Sequence, residues 1–310
     1  MQNFSVLFMG MLGELSRQPL ATLLEAGVQV CGVVMPGSET DDPDPISLDA
    51  PDFEDLAEIE FVPMVSQYLS PSVITLAWEH HLPLLSIRDL ARPASYAALA
   101  AWQPDVICVS CFSQIIPPAI LSLPKLGAIN LHPSLLPAYR GPWPLFWQFY
   151  HSEPRTGVTL HFLNERLDAG DILLQAEVPF ADGITGDEAE QLCAQAGGQL
   201  LVKGLNLIRA GNPPRRPQNE ADSSYQPIPN WTHLAIRPDQ PARRAFNFMR
   251  GASTLIGQAS FEIIVGEASF RTREALDYSA EADLGAAYRR EADRVSIQFN
   301  PGVVTVKVLA

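Results

Sequence analysis

SVLFMGMLGELSRQPLATLLEAGVQVCGVVM, residues Ser5–Met35, sets the fold class. Ser5–Gly10 is a short apolar run of β character. Ser16–Gly27 has helical texture and closes on a glycine, and Val28–Met35 is a second apolar run. A strand, a helix and a strand packed into about 30 residues require a right-handed crossover between parallel neighbours. The pattern continues downstream. Ser70–His81 reads as a helix opened by Ser70 and Pro71, and DLARPASYAALAAW as another. DVICVSC, Asp105–Cys111, is nearly all apolar, as expected of a strand buried on both faces. GAINLH, GVTLHFL and DILLQAEVPF supply further strands. GDEAEQLCAQAGGQLLVKGLNLIRAG reads as a long helix with a break expected near Gly197-Gly198. The first half is therefore expected to be α/β with a Rossmann-like, mostly parallel sheet.

The texture changes at AGNPPRRPQNEADSSYQPIPN, where proline, asparagine and serine dominate. Beyond it come one helix candidate, DQPARRAFNFMRG, and several short β-like runs. These predict a smaller, β-rich, OB-like C-terminal domain. The expected division is 1–210, a 211–225 linker, and 226–310.

The chain has 310 residues, 47% hydrophobic and 18% charged, the ordinary composition of a soluble globular protein. No apolar run reaches the roughly 18 residues of a membrane span. The opening MQNFSVLFMGML has no basic n-region, and the four cysteines sit mostly in apolar runs. Both features predict a cytoplasmic protein with reduced thiols. Cys108 and Cys111 form a single C-x-x-C without a second pair, so no metal site is expected.

Charge is unevenly spread. Residues 1–210 hold 9 Lys/Arg against 24 Asp/Glu, or −15, and residues 211–310 hold 12 against 11, or +1. Ten acids fall between Glu39 and Glu60, in a proline-rich stretch that reads as a surface insertion. Such a surface repels polyanions and argues against avid nonspecific nucleic-acid binding.

The chemistry concentrates in AINLHPSLLPAYRGP, Ala128–Pro142. Ligands of open α/β sheets sit beyond the carboxyl ends of strands, and this strand ends on Asn130 and His132. Two residues apart on an extended strand, their side chains share one face. The prolines stiffen the turn that follows, and the Leu136-Pro137 bond is a candidate cis bond. An amide donor beside an imidazole can stabilise an oxyanion and move a proton, which suffices for acyl transfer between amines. Ser134 lacks the G-x-S-x-G setting of a nucleophile elbow, so direct attack by the acceptor is expected. Asp168, in the turn LNERLDAGD, is the candidate to orient the imidazole, with Asp171 as the alternative. His161 reads as a partly buried, hydrogen-bonded histidine of the strand VTLHFL.

Together these stretches resemble the formyltransferases that use 10-formyltetrahydrofolate. Their N-x-H-x-S-L-L-P pattern is matched by Asn130, His132 and Ser134–Pro137, and their L-D-x-G pattern by Leu167–Gly170. The likeness in layout runs from about Ser5 to Ile208. It implies that Asn130 and His132 polarise the formyl carbonyl while Asp168 tunes His132. It also implies a pterin site at the turn 164–168, with Asn164, Glu165 and Leu167 as contacts. Phe112, Gln114 and Ile116 in CFSQIIPPAIL become candidate folate contacts as well. Arg140 either meets an anionic part of a substrate or braces the turn.

The two-part plan is similar to that of the family members acting on methionyl-tRNA, and RRAFNFMRGA resembles the start of their C-terminal domain. The resemblance also implies a basic loop after the second strand in tRNA-binding members, where this chain is acidic. Arg237, Arg243, Arg244, Arg250, Arg271 and Arg273 form either a basic patch or a solvated face. The acceptor therefore stays open between methionyl-tRNA and a small amine such as a nucleotide-linked amino sugar. A 10-formyltetrahydrofolate hydrolase and a catalytically silent folate binder are the remaining alternatives.

Overall fold

The computed structural model describes residues 4–50 and 71–309. The acids from Asp52 to Glu60 and the expected cap Ser70 lie outside the described residues.

The first sheet has eight strands: β1 (Ser5–Gly10), β2 (Gln29–Pro36), β3 (Ile46–Ser47), β4 (Leu84–Ile87), β5 (Val106–Ser110), β6 (Ala128–His132), β7 (Arg155–Phe162) and β8 (Ile172–Pro179). Their spatial order is β3-β4-β2-β1-β5-β6-β7-β8. The pairs β1–β2, β1–β5, β2–β4 and β5–β6 are parallel, while β3–β4 and β6–β7 are antiparallel. The mixed α/β architecture with a mostly parallel sheet is as expected. Every residue of β5 is buried, which explains its unbroken apolar sequence.

The helices of this half are α1 (Glu14–Glu25), α2 (Val73–Glu79), α3 (Pro93–Ala101), α4 (Pro118–Leu121), α5 (Pro144–Tyr150) and α6 (Gly186–Arg209). Ser72 caps α2, in a reciprocal capping box with Thr75. The break expected in α6 is absent. A β-carbon on Gly197 would lie 2.3 Å from Leu131, and one on Gly198 would lie 2.6 Å from Thr22. These glycines let the helix approach β6 and α1 closely, and they do not interrupt it. The insertion also holds more structure than a solvated loop: Ile46–Ser47 pairs with β4. Ser38 donates from N and Oγ to the Asp41 carboxylate, at 2.8 and 2.7 Å.

The chain divides into two compact units, each made of non-contiguous segments. One comprises Met1–Arg140, Gly157–Glu177 and Gln191–Ser224, and the other Gly141–Thr156, Val178–Glu190 and Tyr225–Ala310. The division 1–210, 211–225 and 226–310 is retained as a proposal about functional parts. The second unit carries a six-stranded sheet in the order β12-β13-β14-β11-β10-β9. Its strands are β9 (Ala235–Ile236), β10 (Phe261–Val265), β11 (Ala268–Ser279), β12 (Tyr288–Glu291), β13 (Arg294–Gln298) and β14 (Val303–Val308). Helix α7 (Ala242–Ala252) packs on α5 so closely that a β-carbon on Gly251 would lie 2.2 Å from the Phe149 ring.

Candidate active site

Strand β6 presents Asn130 and His132 from the middle of the first sheet, opposite His161 and Thr159 of β7. The antiparallel register places Asn130 directly across from His161. The Asn130 amide nitrogen lies 3.1 Å from His161 Nε2. The other ring nitrogen, Nδ1, lies 3.0 Å from the Phe162 carbonyl and donates to it, so Nε2 accepts from Asn130. Burial holds the His161 imidazole down at about 4, against the pull of Asp168 in the other direction. The ring is neutral at physiological pH. The expectation of a partly buried, hydrogen-bonded histidine understates it, because His161 is fully buried and also aims the Asn130 amide.

His132 is 5% exposed, and its Nε2 lies 2.8 Å from the Tyr139 carbonyl oxygen, to which it donates. The opposite nitrogen, Nδ1, faces Asp168 Oδ2 at 3.8 Å. Asp168 Oδ1 lies 3.7 Å from His161 Nε2. The carboxylate therefore sits between two imidazoles and is 6% exposed. Its backbone has φ +50°, an uncommon conformation for a residue with a β-carbon. Gly170 completes the turn, since a β-carbon there would lie 1.8 Å from the Phe162 carbonyl oxygen.

The turn after β6 is tied on every side. Leu136-Pro137 is cis. Ser134 is fully buried and its Oγ donates to the Ala138 carbonyl at 2.8 Å. Thr159 Oγ1 donates to Ser134 O at 2.6 Å and accepts from Leu136 N at 3.1 Å. Arg140 is buried at 7% exposure. Its Nε and Nη2 donate to Gln218 Oε1 at 3.1 and 2.8 Å, and its Nη1 donates to Glu220 at 3.1 Å. These contacts support the bracing role for Arg140.

A cavity of about 540 Å³ is lined by Pro118, Leu121, Ser122, Leu163, Asn164, Glu165 and Arg166. It joins an apolar wall from α4 to polar groups of the turn after β7, and Asn130, His132 and Asp168 are not among its lining residues. Asn164 and Glu165 thus line a cavity together, while Phe112, Gln114, Ile116 and Leu167 do not line it. Phe112 and Ile116 pack on the core cluster that includes Leu99, Val109 and Ile120. Gln114 Nε2 donates to Ile87 O at 2.7 Å, and Leu167 is exposed. A second cavity of about 490 Å³, lined by residues that include Lys125, Ile208 and Arg215, contains none of the expected site residues.

Among the described residues, no group of three or more His, Cys, Asp or Glu side chains is arranged to hold a metal ion. Cys108 is buried and Cys111 exposed; burial pushes the Cys108 thiol up, and the Cys31 thiol up to about 11. Both thiols stay protonated. No helix among the described residues is long and apolar enough to cross a membrane.

Sequence reasoning missed Gln218, Glu220 and Ser224. They lie some 80 residues beyond the turn they hold, in a stretch whose composition reads as a linker. Ser224 Oγ accepts from Tyr139 N at 2.8 Å, and Ser224 O accepts from Arg140 N at 2.8 Å.

Residues 65–205 match the family model described as Formyl transferase. A methionyl-tRNA formyltransferase of Syntrophus aciditrophicus (strain SB) is 39% identical over 199 residues, which cover 63% of this chain and 62% of the relative. The chain spans about three fifths of the length of the curated relatives it matches. The solved structures that share the fold include two of interest. One is WlaRD, a sugar 3N-formyl transferase in the presence of dTDP and 5-N-formyl-THF, at 16% identity and TM-score 0.69, covering 100% of this chain and 99% of that one. The other is methionyl-tRNA formyltransferase from Clostridium thermocellum, at 12% identity and TM-score 0.56, covering 99% of this chain and 100% of that one.

Proposed function

We propose that this chain transfers a formyl group from 10-formyltetrahydrofolate to an acceptor amine, with methionyl-tRNA the leading acceptor. One observation carries the proposal: Asn130, His132 and Asp168 converge around His161 at one strand end, within the segment that matches the formyl transferase family.

The geometry supports the following roles. The Asn130 amide, aimed by His161, donates a hydrogen bond to the carbonyl oxygen that gains charge as the amine attacks. His132, whose Nδ1 faces Asp168, carries an Nε2–H that rests on the Tyr139 carbonyl and is passed to the same oxygen when the formyl donor binds. Asp168, which faces His132 Nδ1, takes the proton lost by the attacking amine and returns it to the folate nitrogen as the bond from that nitrogen to the formyl carbon breaks. Ser134 is buried and already donates to Ala138, which supports direct attack without an acyl-enzyme. Asn164 and Glu165 line the cavity proposed for the pterin ring. Phe112, Gln114, Ile116 and Leu167 are proposed as further folate contacts on the resemblance alone. No metal is assigned a role, and the reaction is proposed for the cytoplasm.

Release of tetrahydrofolate from 10-formyltetrahydrofolate is the test, run with charged initiator methionyl-tRNA, with nucleotide-linked amino sugars and with no acceptor. Release that depends on methionyl-tRNA supports the proposal as stated. Release that depends only on an amino sugar replaces the acceptor. Equal release without any amine makes the protein a hydrolase, and no release in any arm refutes formyl transfer.

A further inference from the structure

The side-chain amide of Gln218 joins the two turns that hold His132. Its Nε2 donates to the carbonyl oxygens of Asp168 and Gly170, at 2.7 and 2.8 Å. Its Oε1 accepts from Arg140 Nε and Nη2, at 3.1 and 2.8 Å. Both N–H donors are used, and the oxygen meets a cation, so chemistry fixes which way the amide faces. Reversed, it would set its oxygen against two carbonyls and its amino group against a guanidinium.

The two turns that Gln218 connects each supply one partner of the His132 imidazole. Asp168 faces His132 Nδ1, and the Tyr139 carbonyl, next to Arg140, accepts from His132 Nε2. Asp168 takes its left-handed conformation in a turn whose two flanking carbonyls are both held by this amide. Arg140 is in turn locked by Glu220, which also accepts from Arg166 at 2.9 Å on the rim of the 540 Å³ cavity.

We propose that Gln218 is a positioning residue, which sets the Asp168 carboxylate against His132 by clamping the 168–170 turn to Arg140. The proposal rests on the formyl-transfer reading for its kinetic consequence, but its geometric part does not.

Gln218→Glu in the full chain is the sharpest test. It keeps the side-chain length and the acceptor for Arg140, removes both donors, and places negative charge against two carbonyls. The expected results are a kcat lowered about 10- to 100-fold, a folate KM within about threefold of wild type, and a displaced imidazole ¹⁵N resonance of His132. Gln218→Asn keeps the amide but shortens the arm, serves if the first variant fails to fold, and is expected to lie between it and wild type. A role confined to stability would lower the melting temperature and leave kcat and the His132 resonance at wild-type values, and that result overturns the proposal. The resonance is read without substrate. A wild-type protein that transfers no formyl group therefore refutes the proposed function while the His132 signal still judges Gln218.

Discussion

His161 must stay neutral for Asn130 to point correctly, because its Nε2 lone pair receives the Asn130 amide. The same burial makes this ring a cost in acid. Its folded-state value of about 4 lies below the ordinary 6.5, so between those limits the unfolded chain binds the proton and the folded chain does not. Stability therefore falls as pH drops from about 6.5 towards 4. Denaturant titrations at pH 7.5 and 5 should show that loss in the wild type and a smaller one in His161→Gln. Equal losses would mean that other groups govern the acid limb. At this scale the sequence was legible where neighbours are local. Asn130 and His132 share a face because they are two apart, and Asp168 stands out in its D-x-G-D turn. The partner of Asn130 follows from the β6–β7 register, which no local pattern encodes.

Helix α6 shows how an element can mislead when read in isolation. Two adjacent glycines ordinarily weaken a helix by roughly 0.5–1 kcal/mol each relative to alanine. At an open site, Gly→Ala would stabilise. Here the added carbons would meet Leu131 at 2.3 Å and Thr22 at 2.6 Å. Gly197→Ala and Gly198→Ala should each destabilise the protein by about 1–3 kcal/mol, read as a lower urea midpoint. Gly197→Ala should also lower kcat, since Leu131 lies between Asn130 and His132. Midpoints at or above wild type would contradict this close packing. Gly170→Ala faces a harder obstacle, the Phe162 carbonyl at 1.8 Å, and is expected to displace the Asp168 turn and reduce turnover at least tenfold. The strand and helix pattern of the first half was legible because periodicity is local. Close approach between elements was not, because a glycine that breaks a helix and one that lets it pack look alike in sequence.

Over the whole molecule, the linker texture concealed part of the site. Residues 218–224 lie in the unit that holds Asn130, His132 and Asp168, and they brace both of its turns. Charge was legible in amount but not in availability. Several of the arginines left open between a basic patch and a solvated face are engaged within their own unit: Arg243 with Asp182, Arg250 with Gly183, Arg271 with Ser260 and Arg273 with Gln258. Arg289, Arg290 and Arg294 are exposed on the β12–β13 pair. If methionyl-tRNA is the acceptor, Arg289→Glu with Arg290→Glu should raise its KM about tenfold or more and flatten the salt dependence, leaving the folate KM unchanged. An unchanged KM for the tRNA would remove this edge from the interface.

The most direct test of the account compares folate binding with turnover in Asn130→Ala, His132→Ala and Asp168→Ala. Calorimetry with a non-reactive formyltetrahydrofolate should give affinities close to wild type. Acceptor-dependent release of tetrahydrofolate should fall by about 10²–10⁴-fold in the His132 and Asp168 variants, the range expected when a positioned proton-transfer group is lost. Turnover retained by the His132 variant would contradict the mechanism.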